Sequence, residues 1–525
     1  MVLRSLCCFG MACILAFSAK AQNLEKMVSL KDGAELWAGI IREGHKMPLN
    51  PGYSADLYGK VWRNQLQPLI LSNTGDVIWS EEPYRFEYAE GMVKVDKAYA
   101  TIDHKKAGTT LKEAFEYASA NYFPPSGQMP PEAFFSIPQY NTWIELTYNQ
   151  NQADVLAYAR GIIENGLPPG IIMIDDTWQE DYGKWNFHPG KFPDPKAMMA
   201  ELHQMGFKVM LWVCPFVSAD SDEFRALAPK GGFMRDKNGQ PAMVKWWNGY
   251  SALVDLTAAS GEAWFTGELD RLTKEYGVDG FKLDAGDARF YVDLVSDKDI
   301  GPNGHSERFA QIGLNYPFNE YRATWKMGGQ ALVQRLHDKN HDWRDLQKLI
   351  PHMTLTGLMG YPFSCPDMIG GGQYTSFLEG AVMDEDLVVR STQVHALMPM
   401  MQFSVAPWRI LGQKHFNAVK EAVNIREGFT DYILALAKKA AKTGAPIVRP
   451  MEFDFPNQGF ARVNDQFMLG DKVLVAPLLE KGEGTRTVVL PKGRWKSDLG
   501  KTYRGGRTIT VQVPLERLPY FERIK

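Results

Sequence analysis

Two charged residues, Lys282 and Asp284, interrupt an apolar segment near the middle of the 525-residue chain. Phe281 to Ala285 has the pattern of a short buried strand, on which residues two apart point to the same face. A buried carboxylate needs a partner, a ligand or a raised pKa, because an unpaired charge is costly in an apolar interior. Helix capping by Asp284 would not explain a lysine on the same face. We therefore interpret Asp284 as a functional residue.

Further carboxylates follow apolar runs that resemble strands, namely Asp175, Asp176, Asp338 and Asp367. Taken singly, each also fits a helix N-cap or a loop turn. Paired carboxylates in a chain rich in aromatic residues favour glycoside hydrolysis, in which one carboxylate attacks the anomeric carbon and the other protonates the departing oxygen. The sequence contains no GxGxxG, GxxxxGK[ST] or HExxH pattern, and we expect neither a cofactor nor a metal.

The segments that carry these residues alternate between strand and helix patterns. Apolar runs such as PGIIMIDD and KVMLWVCPF alternate with helical stretches at 153–164 and 195–205, as in parallel βα units. About 300 residues of such units fit a (β/α)₈ TIM barrel, whose catalytic groups lie at the C-terminal ends of the strands. A doubly wound open sheet is the alternative, but its glycine-rich nucleotide turn is missing.

The flanking regions have a different pattern. Short alternating runs at 22–129 predict an N-terminal β-sandwich-like domain, and strand patterns at 444–525 predict a C-terminal antiparallel β domain. The fold class is therefore α/β, with the catalytic barrel at 130–443 between two β domains.

The first 21 residues have the pattern of a secretory signal. Arg4 precedes an apolar run, and Ala19 and Ala21 are the small residues of a cleavage site. We expect cleavage near Ala21 and export to the periplasm or the medium. The alternative is an uncleaved anchor, but the apolar run is short for a membrane span.

The composition of the chain limits the classes of binding partner that we expect. A net charge of −3 and a pI near 6.4 argue against nucleic acid, and no segment of the mature chain has the length and hydropathy of a membrane span. Cys214 and Cys365 remain after cleavage, and they form neither a disulfide framework nor a CxxC metal pattern.

Several motifs in order resemble glycoside hydrolase family 31. GFKLDAGD resembles the nucleophile strand of the family, and RLHDKNHDW resembles its acid/base segment, in which an Asp lies five residues before a Trp. The resemblance implies that Asp284 is the nucleophile and Asp338 the acid/base. It also implies that Lys282 contacts substrate and that Asp367 holds sugar hydroxyls. Arg322, sixteen residues before Asp338, would hold either two hydroxyls or the acid/base region itself. GAPIVRPMEF, QFMLGDKVLVAPLLEKG and LPYFERI extend the resemblance to the last residues.

Departures from the common family pattern bear on the sugar. KLDAGD lacks the Trp and the Met-Asn-Glu turn of many α-glucosidase members, and Ser404 replaces a His near the eighth strand. IDDTW resembles the Asp-Asp-Gly-Trp turn of α-galactosidases in related barrel families, where Asp and Trp enclose the axial 4-hydroxyl and the 6-hydroxyl. The combination is similar to the α-galactosidase branch of the family, which implies that Asp175, Asp176 and Trp178 bind galactose. An ordinary strand-to-helix turn is the alternative reading.

Aromatic residues near strand ends, Trp143, Trp212 and Trp247, are as compatible with core packing as with stacking on a sugar ring. Cys214 shares a strand end and is expected to line the pocket. The sequence thus predicts a retaining, exo-acting hydrolase that removes terminal α-galactose from oligosaccharides or glycoconjugates. An α-glucosidase, an α-xylosidase and an inactive carbohydrate-binding relative are the alternatives.

Overall fold

The structure is a computed structural model that describes residues 25–59, 64–89 and 91–524, so the predicted signal at 1–21 lies outside the described residues. The strands of the N-terminal region are β1 (Lys26–Ser29), β2 (Leu36–Ile40), β3 (Tyr53–Asp56), β4 (Gln65–Ser72), β5 (Asp76–Ser80), β6 (Tyr84–Ala89), β7 (Met92–Ala98) and β8 (Ile102–Lys106). They form two sheets, one in the order β1-β7-β6-β3 and one built on β2, β4, β5 and β8.

Strand β6 shows why this region folds as a sheet. Tyr84, Phe86 and Tyr88 are buried, while Arg85 and Glu87 between them are exposed, which is the alternation of a half-buried antiparallel strand. The expected N-terminal β-rich region is therefore confirmed. A helix that we did not predict, α1 (Leu111–Tyr122), follows the sheets.

The central region contains fourteen strands in the described part of the chain. They are β9 (Gln139–Asn141), β10 (Ile171–Ile174), β11 (Gln179–Asp181), β12 (Lys184–Phe187), β13 (Lys208–Val213), β14 (Phe216–Val217), β15 (Met243–Trp246), β16 (Gly249–Leu253), β17 (Gly280–Leu283), β18 (Phe318–Tyr321), β19 (Thr324–Trp325), β20 (Val333–Arg335), β21 (Ser364–Cys365) and β22 (Gln402–Phe403).

Eight of these strands pair in parallel in chain order: β9, β10, β13, β17, β18, β20, β21 and β22. Strand β22 returns to pair with β9, and a parallel bridge between Met368 and Gln402 joins it to the segment after β21. The eight strands therefore form a nearly closed parallel barrel, which confirms the predicted TIM-barrel fold.

Helices lie in the connections between the barrel strands and flank the first and the last strand. They are α2 (Ala133–Ser136), α3 (Trp143–Leu146), α4 (Gln152–Glu164), α5 (Pro195–Gln204), α6 (Asp222–Leu227), α7 (Ala259–Tyr276), α8 (Gly301–Gly313), α9 (Trp343–Leu358), α10 (Glu385–Ala396), α11 (Pro407–Ile410), α12 (Gln413–Gly428) and α13 (Thr430–Thr443). In α4, Asn151 caps the N-terminus and the buried residues Val155, Tyr158, Ala159 and Ile162 recur at helical spacing.

The C-terminal region is an antiparallel β domain, as predicted. After a short helix, α14 (Met451–Asp454), most of its strands form a six-stranded sheet, and β26 pairs separately with β29. The strands are β23 (Val448–Arg449), β24 (Phe467–Leu469), β25 (Val473–Val475), β26 (Gly484–Leu490), β27 (Arg494–Ser497), β28 (Thr502–Arg504), β29 (Arg507–Val513) and β30 (Tyr520–Arg523). Trp495 and Phe521 belong to a core of its own.

The N-terminal region also pairs directly with the barrel domain. Strand β19, which follows β18, lies parallel to β4, with Thr324 opposite Gln65 and Trp325 opposite Leu66. Among the described helices, none combines the length and apolar character that crossing a membrane requires.

Candidate active site

A cavity of about 270 Å³ opens at the C-terminal ends of the barrel strands. It is lined by Trp143, Tyr148, Asp175, Asp176, Trp212, Trp247, Lys282, Asp284, Arg289, Arg322, Arg335, Asp338, Gly372, Gln373 and Tyr374. Asp284 and Asp338, the predicted catalytic pair, therefore face the same space although they come from separate segments.

Asp284 directly follows β17, and its carboxylate is fixed from several sides. The indole Nε1 of Trp212 donates to Oδ2 at 2.8 Å, and the backbone N–H of Ala285 donates to Oδ1 at 2.9 Å. Ala285 adopts a left-handed conformation (φ +59°), which turns the chain back onto the carboxylate. The Nε of Arg322 lies 3.6 Å from Oδ1. A carboxylate held this firmly is suited to attack in one direction.

Asp338 lies three residues beyond β20 and is also held by arginine. Nη1 of Arg335 lies 2.8 Å from Oδ1, and Nη1 of Arg322 lies 3.9 Å from Oδ2. Burial alone would raise the pKa of Asp338, but the charges of Arg335, Arg322 and Lys282 hold it below its usual value. Both predicted catalytic carboxylates thus lie within 3.9 Å of the Arg322 guanidinium.

Arg322 follows β18 and is itself held in place. Its Nε lies 3.0 Å from Oδ2 of Asp287, and its guanidinium stacks 4.9 Å from the ring centre of Trp247. Asp287 is fully buried and accepts the backbone N–H of Asn64 at 3.0 Å. Burial would raise the pKa of Asp287, but the neighbouring Arg322 and Arg289 lower it below its usual value. Asp287 therefore anchors Arg322.

The floor of the cavity carries a buried ion pair. Nζ of Lys282 lies 2.5 Å from Oδ2 of Asp175, and both side chains are about 95% buried, at 5% and 3% exposure. The Oδ2 of neighbouring Asp176 accepts the side-chain N–H of Asn248 at 2.7 Å. Burial, together with the charge of Asp175, raises the pKa of Asp176 to about 7. The floor can therefore present both charged and neutral carboxyl oxygens to sugar hydroxyls.

Three predicted site residues do not reach the cavity. Trp178 is fully buried because Thr177 turns the chain at φ +73°, and its indole donates to the carbonyl of Trp212 at 2.8 Å. Cys214 is also buried, which raises the pKa of its thiol. Asp367 has no exposed surface. These three side chains therefore lie behind the lining of the cavity and not in it.

The aromatic rim differs in detail from the sequence prediction. Trp143 lies two residues after β9, near a strand end as predicted, and opens helix α3. It packs edge-on against Tyr148 and Tyr374 at ring distances of 5.2 and 5.6 Å. Trp247 stands at the turn between β15 and β16 and is 41% exposed. The two tyrosines were missed because neither lies in a motif.

The N-terminal region reaches the same site through one side chain. The amide of Gln65, on β4, donates to the carbonyl of Arg322 and, at 2.7 Å, to the carbonyl of Arg335. Two of the three arginines that line the cavity, Arg322 and Arg335, are therefore tied to β4 through their carbonyls. Within the described ranges, no group of three or more His, Cys, Asp or Glu residues could hold a metal ion.

A parallel barrel with facing carboxylates at its strand ends is an architecture typical of glycoside hydrolases. The chain belongs to glycosyl hydrolase family 31, since the model of the TIM-barrel domain of that family matches residues 127–436. The model of the family's C-terminal domain matches residues 444–524.

Three proteins similar to this chain carry the names of different glycosidases. The myogenesis-regulating glycosidase of Mus musculus is 33% identical over 79% of this chain and 60% of its own length. Alpha-glucosidase 2 of Bacillus thermoamyloliquefaciens is 25% identical over 98% of this chain and 67% of its own length. The dextranase structure from Flavobacterium johnsoniae, complexed with glucose, has a TM-score of 0.82 at 20% identity and covers 95% of this chain and 66% of that one. The dextranase likeness concerns the fold.

Proposed function

We propose that the protein is a retaining, exo-acting glycoside hydrolase that removes terminal α-linked galactose from oligosaccharides or glycoconjugates. The observation that carries the proposal is the pair Asp284 and Asp338, which line one cavity and share the Arg322 guanidinium. The cavity of about 270 Å³ is small and polar, which suits a single terminal sugar ring.

In the proposed mechanism, Asp284 attacks the anomeric carbon and forms a covalent glycosyl ester. Asp338 donates a proton to the departing oxygen, then removes a proton from the incoming water, so the product keeps the α configuration. Arg322 lies between both carboxylates and would adjust to the change in charge as Asp284 becomes an ester. The indole of Trp212 and the backbone of Ala285 would keep the attacking carboxylate in line.

The preference for galactose rests on the cavity floor. The ion pair between Asp175 and Lys282 and the adjacent Asp176 offer several donors and acceptors where sugar hydroxyls would lie. This arrangement follows the IDDTW and KLDAGD segments, whose combination resembles the α-galactosidase branch. Trp178 does not contribute to recognition, because it is buried beneath the floor.

An α-glucosidase or α-xylosidase is the second candidate. It is favoured by the names of relatives such as alpha-glucosidase 2 and the alpha-xylosidase of Emericella nidulans, which is 26% identical over 73% of this chain and 52% of its own length. A binding protein without turnover is the third. We further propose export to the periplasm or the medium after cleavage near Ala21.

Hydrolysis of p-nitrophenyl α-galactoside, α-glucoside and α-xyloside separates these candidates. We expect the galactoside to have the highest kcat/KM, with the α-anomer of galactose as the first product by NMR. Asp284→Ala should abolish turnover, whereas Asp270→Ala on the exposed face of α7 should not change it. A preference for glucoside or xyloside would refute the galactose assignment, and inactivity on all three would favour the binding protein.

A further inference from the structure

The guanidinium of Arg335, the last residue of β20, is the meeting point of three carboxylates. Its Nη1 donates to Oδ1 of Asp338 at 2.8 Å and to Oδ1 of Asp367 at 2.7 Å, and its Nε lies 3.2 Å from Oε1 of Glu320. The side chain is only 2% exposed, and that small exposed part lines the cavity. Neither the motifs nor the mechanism above gives Arg335 a role.

Asp367 lies behind this guanidinium, where its oxygens are already occupied. Its Oδ2 accepts the backbone N–H of Lys339 at 2.7 Å and of Gly372 at 3.1 Å, while Oδ1 accepts Arg335. Gly372 lines the cavity, and a Cβ at this position would come within 2.7 Å of the Asp367 carboxylate. Contact between Asp367 and a sugar would therefore require the carboxylate to leave Arg335 and pass Gly372.

We propose that Arg335 is the positioning residue of the acid/base carboxylate, and that Asp367 acts through Arg335 and not on the sugar. This inference rests on the proposed function, because it takes Asp338 as the acid/base. Nη1 of Arg335 holds Oδ1 of Asp338, so that Oδ2 is the oxygen left for proton transfer. Asp367, two residues after β21, and Glu320, in β18, hold the guanidinium in turn.

This arrangement also sets the proton affinity of Asp338. The charged groups that act on it are Arg335, Arg322, Lys282, Lys339 and Asp367. Loss of Arg335 removes a cation that favours the ionised form, so the pKa of Asp338 must rise. Because the first step needs the protonated acid, the alkaline limb of kcat/KM should move to higher pH in Arg335→Gln.

Leaving-group dependence distinguishes positioning from simple structural support. The substrates are the 2,4-dinitrophenyl and methyl α-glycosides of the sugar that the wild type cleaves best. For Arg335→Gln we expect kcat/KM to fall about 10²-fold or more with the methyl glycoside, which needs protonation, and less than tenfold with the dinitrophenyl glycoside. Arg335→Lys should return the alkaline limb of kcat/KM to its wild-type pH but should not restore the full value of kcat/KM. The matched control is Arg85→Gln on the exposed face of the N-terminal sheet.

Asp367→Asn tests the second half of the proposal. If Asp367 acts through Arg335, kcat should fall for the methyl glycoside while KM changes less than threefold. A large rise in KM with both substrates would instead mean direct sugar binding and would overturn the proposal. Equal losses with both leaving groups in Arg335→Gln, with no shift of the pH limb, would also overturn it.

A measurement without turnover keeps the inference separate from the proposed function. The unfolding temperature of Arg335→Gln should fall progressively below that of the wild type between pH 4 and pH 8. Without the guanidinium, the carboxylates around it repel one another once they are ionised. Asp338→Asn added to Arg335→Gln should recover part of that loss. If the wild type hydrolyses no glycoside, the proposed function fails but this recovery still supports the coupling. Identical curves for the single and double variants would refute it, and Arg335→Lys serves the same comparison if Arg335→Gln does not fold.

Discussion

Replacing Lys282 on the cavity floor should lower the free energy of unfolding strongly, and the geometry of its ion pair limits the size of that loss. Lys282 and Asp175 lie 2.5 Å apart with almost no exposure. At an effective dielectric constant of about 20, their attraction is about 7 kcal/mol, part of which is offset by the desolvation of both charges. Truncation of one partner of a buried pair costs about 3–5 kcal/mol, since the other charge is left unpaired. We expect a loss in this range for Lys282→Met at pH 7.

The companion variants make this a thermodynamic cycle. Asp175→Asn added to Lys282→Met should recover much of the loss, because no unpaired charge remains and the Asn oxygen can still accept the backbone N–H of Asp176. Lys414→Met breaks an exposed ion pair of 2.8 Å and should cost less than about 1 kcal/mol.

Chemical denaturation followed by tryptophan fluorescence measures five proteins at pH 7: the wild type, Lys282→Met, Asp175→Asn, the double variant and the Lys414→Met control. If the costs of the two single substitutions simply add in the double variant, the two side chains do not interact. In that case the reasoning about the cavity floor is refuted.

Three further substitutions test other parts of the site. Gly372→Ala should lower kcat/KM at least about tenfold, because the added Cβ would lie 2.7 Å from Oδ1 of Asp367 and 3.2 Å from Oδ1 of Asp338. Its control is Gly267→Ala in α7, where the added Cβ meets open space and should be neutral or stabilising by up to about 1 kcal/mol. Trp212→Phe removes the 2.8 Å hydrogen bond to the predicted nucleophile, worth about 1.5–3 kcal/mol, and should lower kcat/KM about ten- to hundredfold; an unchanged rate would contradict that assignment. Burial raises the pKa of Asp176 to about 7, so the folded state binds the proton of this group more tightly than the unfolded state does. The stability that Asp176 contributes is therefore lost as pH rises from about 4 to 7. Asp176→Asn should therefore become more stable relative to the wild type between pH 4 and pH 8, and thermal unfolding that shows no such trend would count against the burial described for this carboxyl.

The barrel and the position of its carboxylates could be predicted from the sequence for a physical reason. Parallel βα units bring all C-terminal strand ends to one face, so acidic residues after strands, such as Asp284 and Asp175, must gather there. The order of motifs then placed Asp338 near them. The first inference needs only chain order and strand polarity, whereas Asp338 was singled out by the resemblance to family 31.

Side-chain direction was beyond the reach of the sequence. Trp178 follows a predicted strand end like the other candidates, but one left-handed residue, Thr177, turns it under the floor. Arg335 was overlooked because its importance depends on the adjacency of β18, β20 and β21, which brings Glu320 and Asp367 to it. Its position three residues before Asp338 was the only local signal.

The hydrogen bonds from Gln65 to the carbonyls of Arg322 and Arg335 bear on how far this protein is modular. One amide in the N-terminal sheet sets the backbone at both arginines, and β19 extends that sheet immediately downstream of Arg322. An excised barrel would lose this clamp together with the partner of β19. The N-terminal β-rich region is thus part of the structure that holds the candidate active site. Domain exchange within the family would have to preserve the contacts of Gln65 and the pairing of β4 with β19.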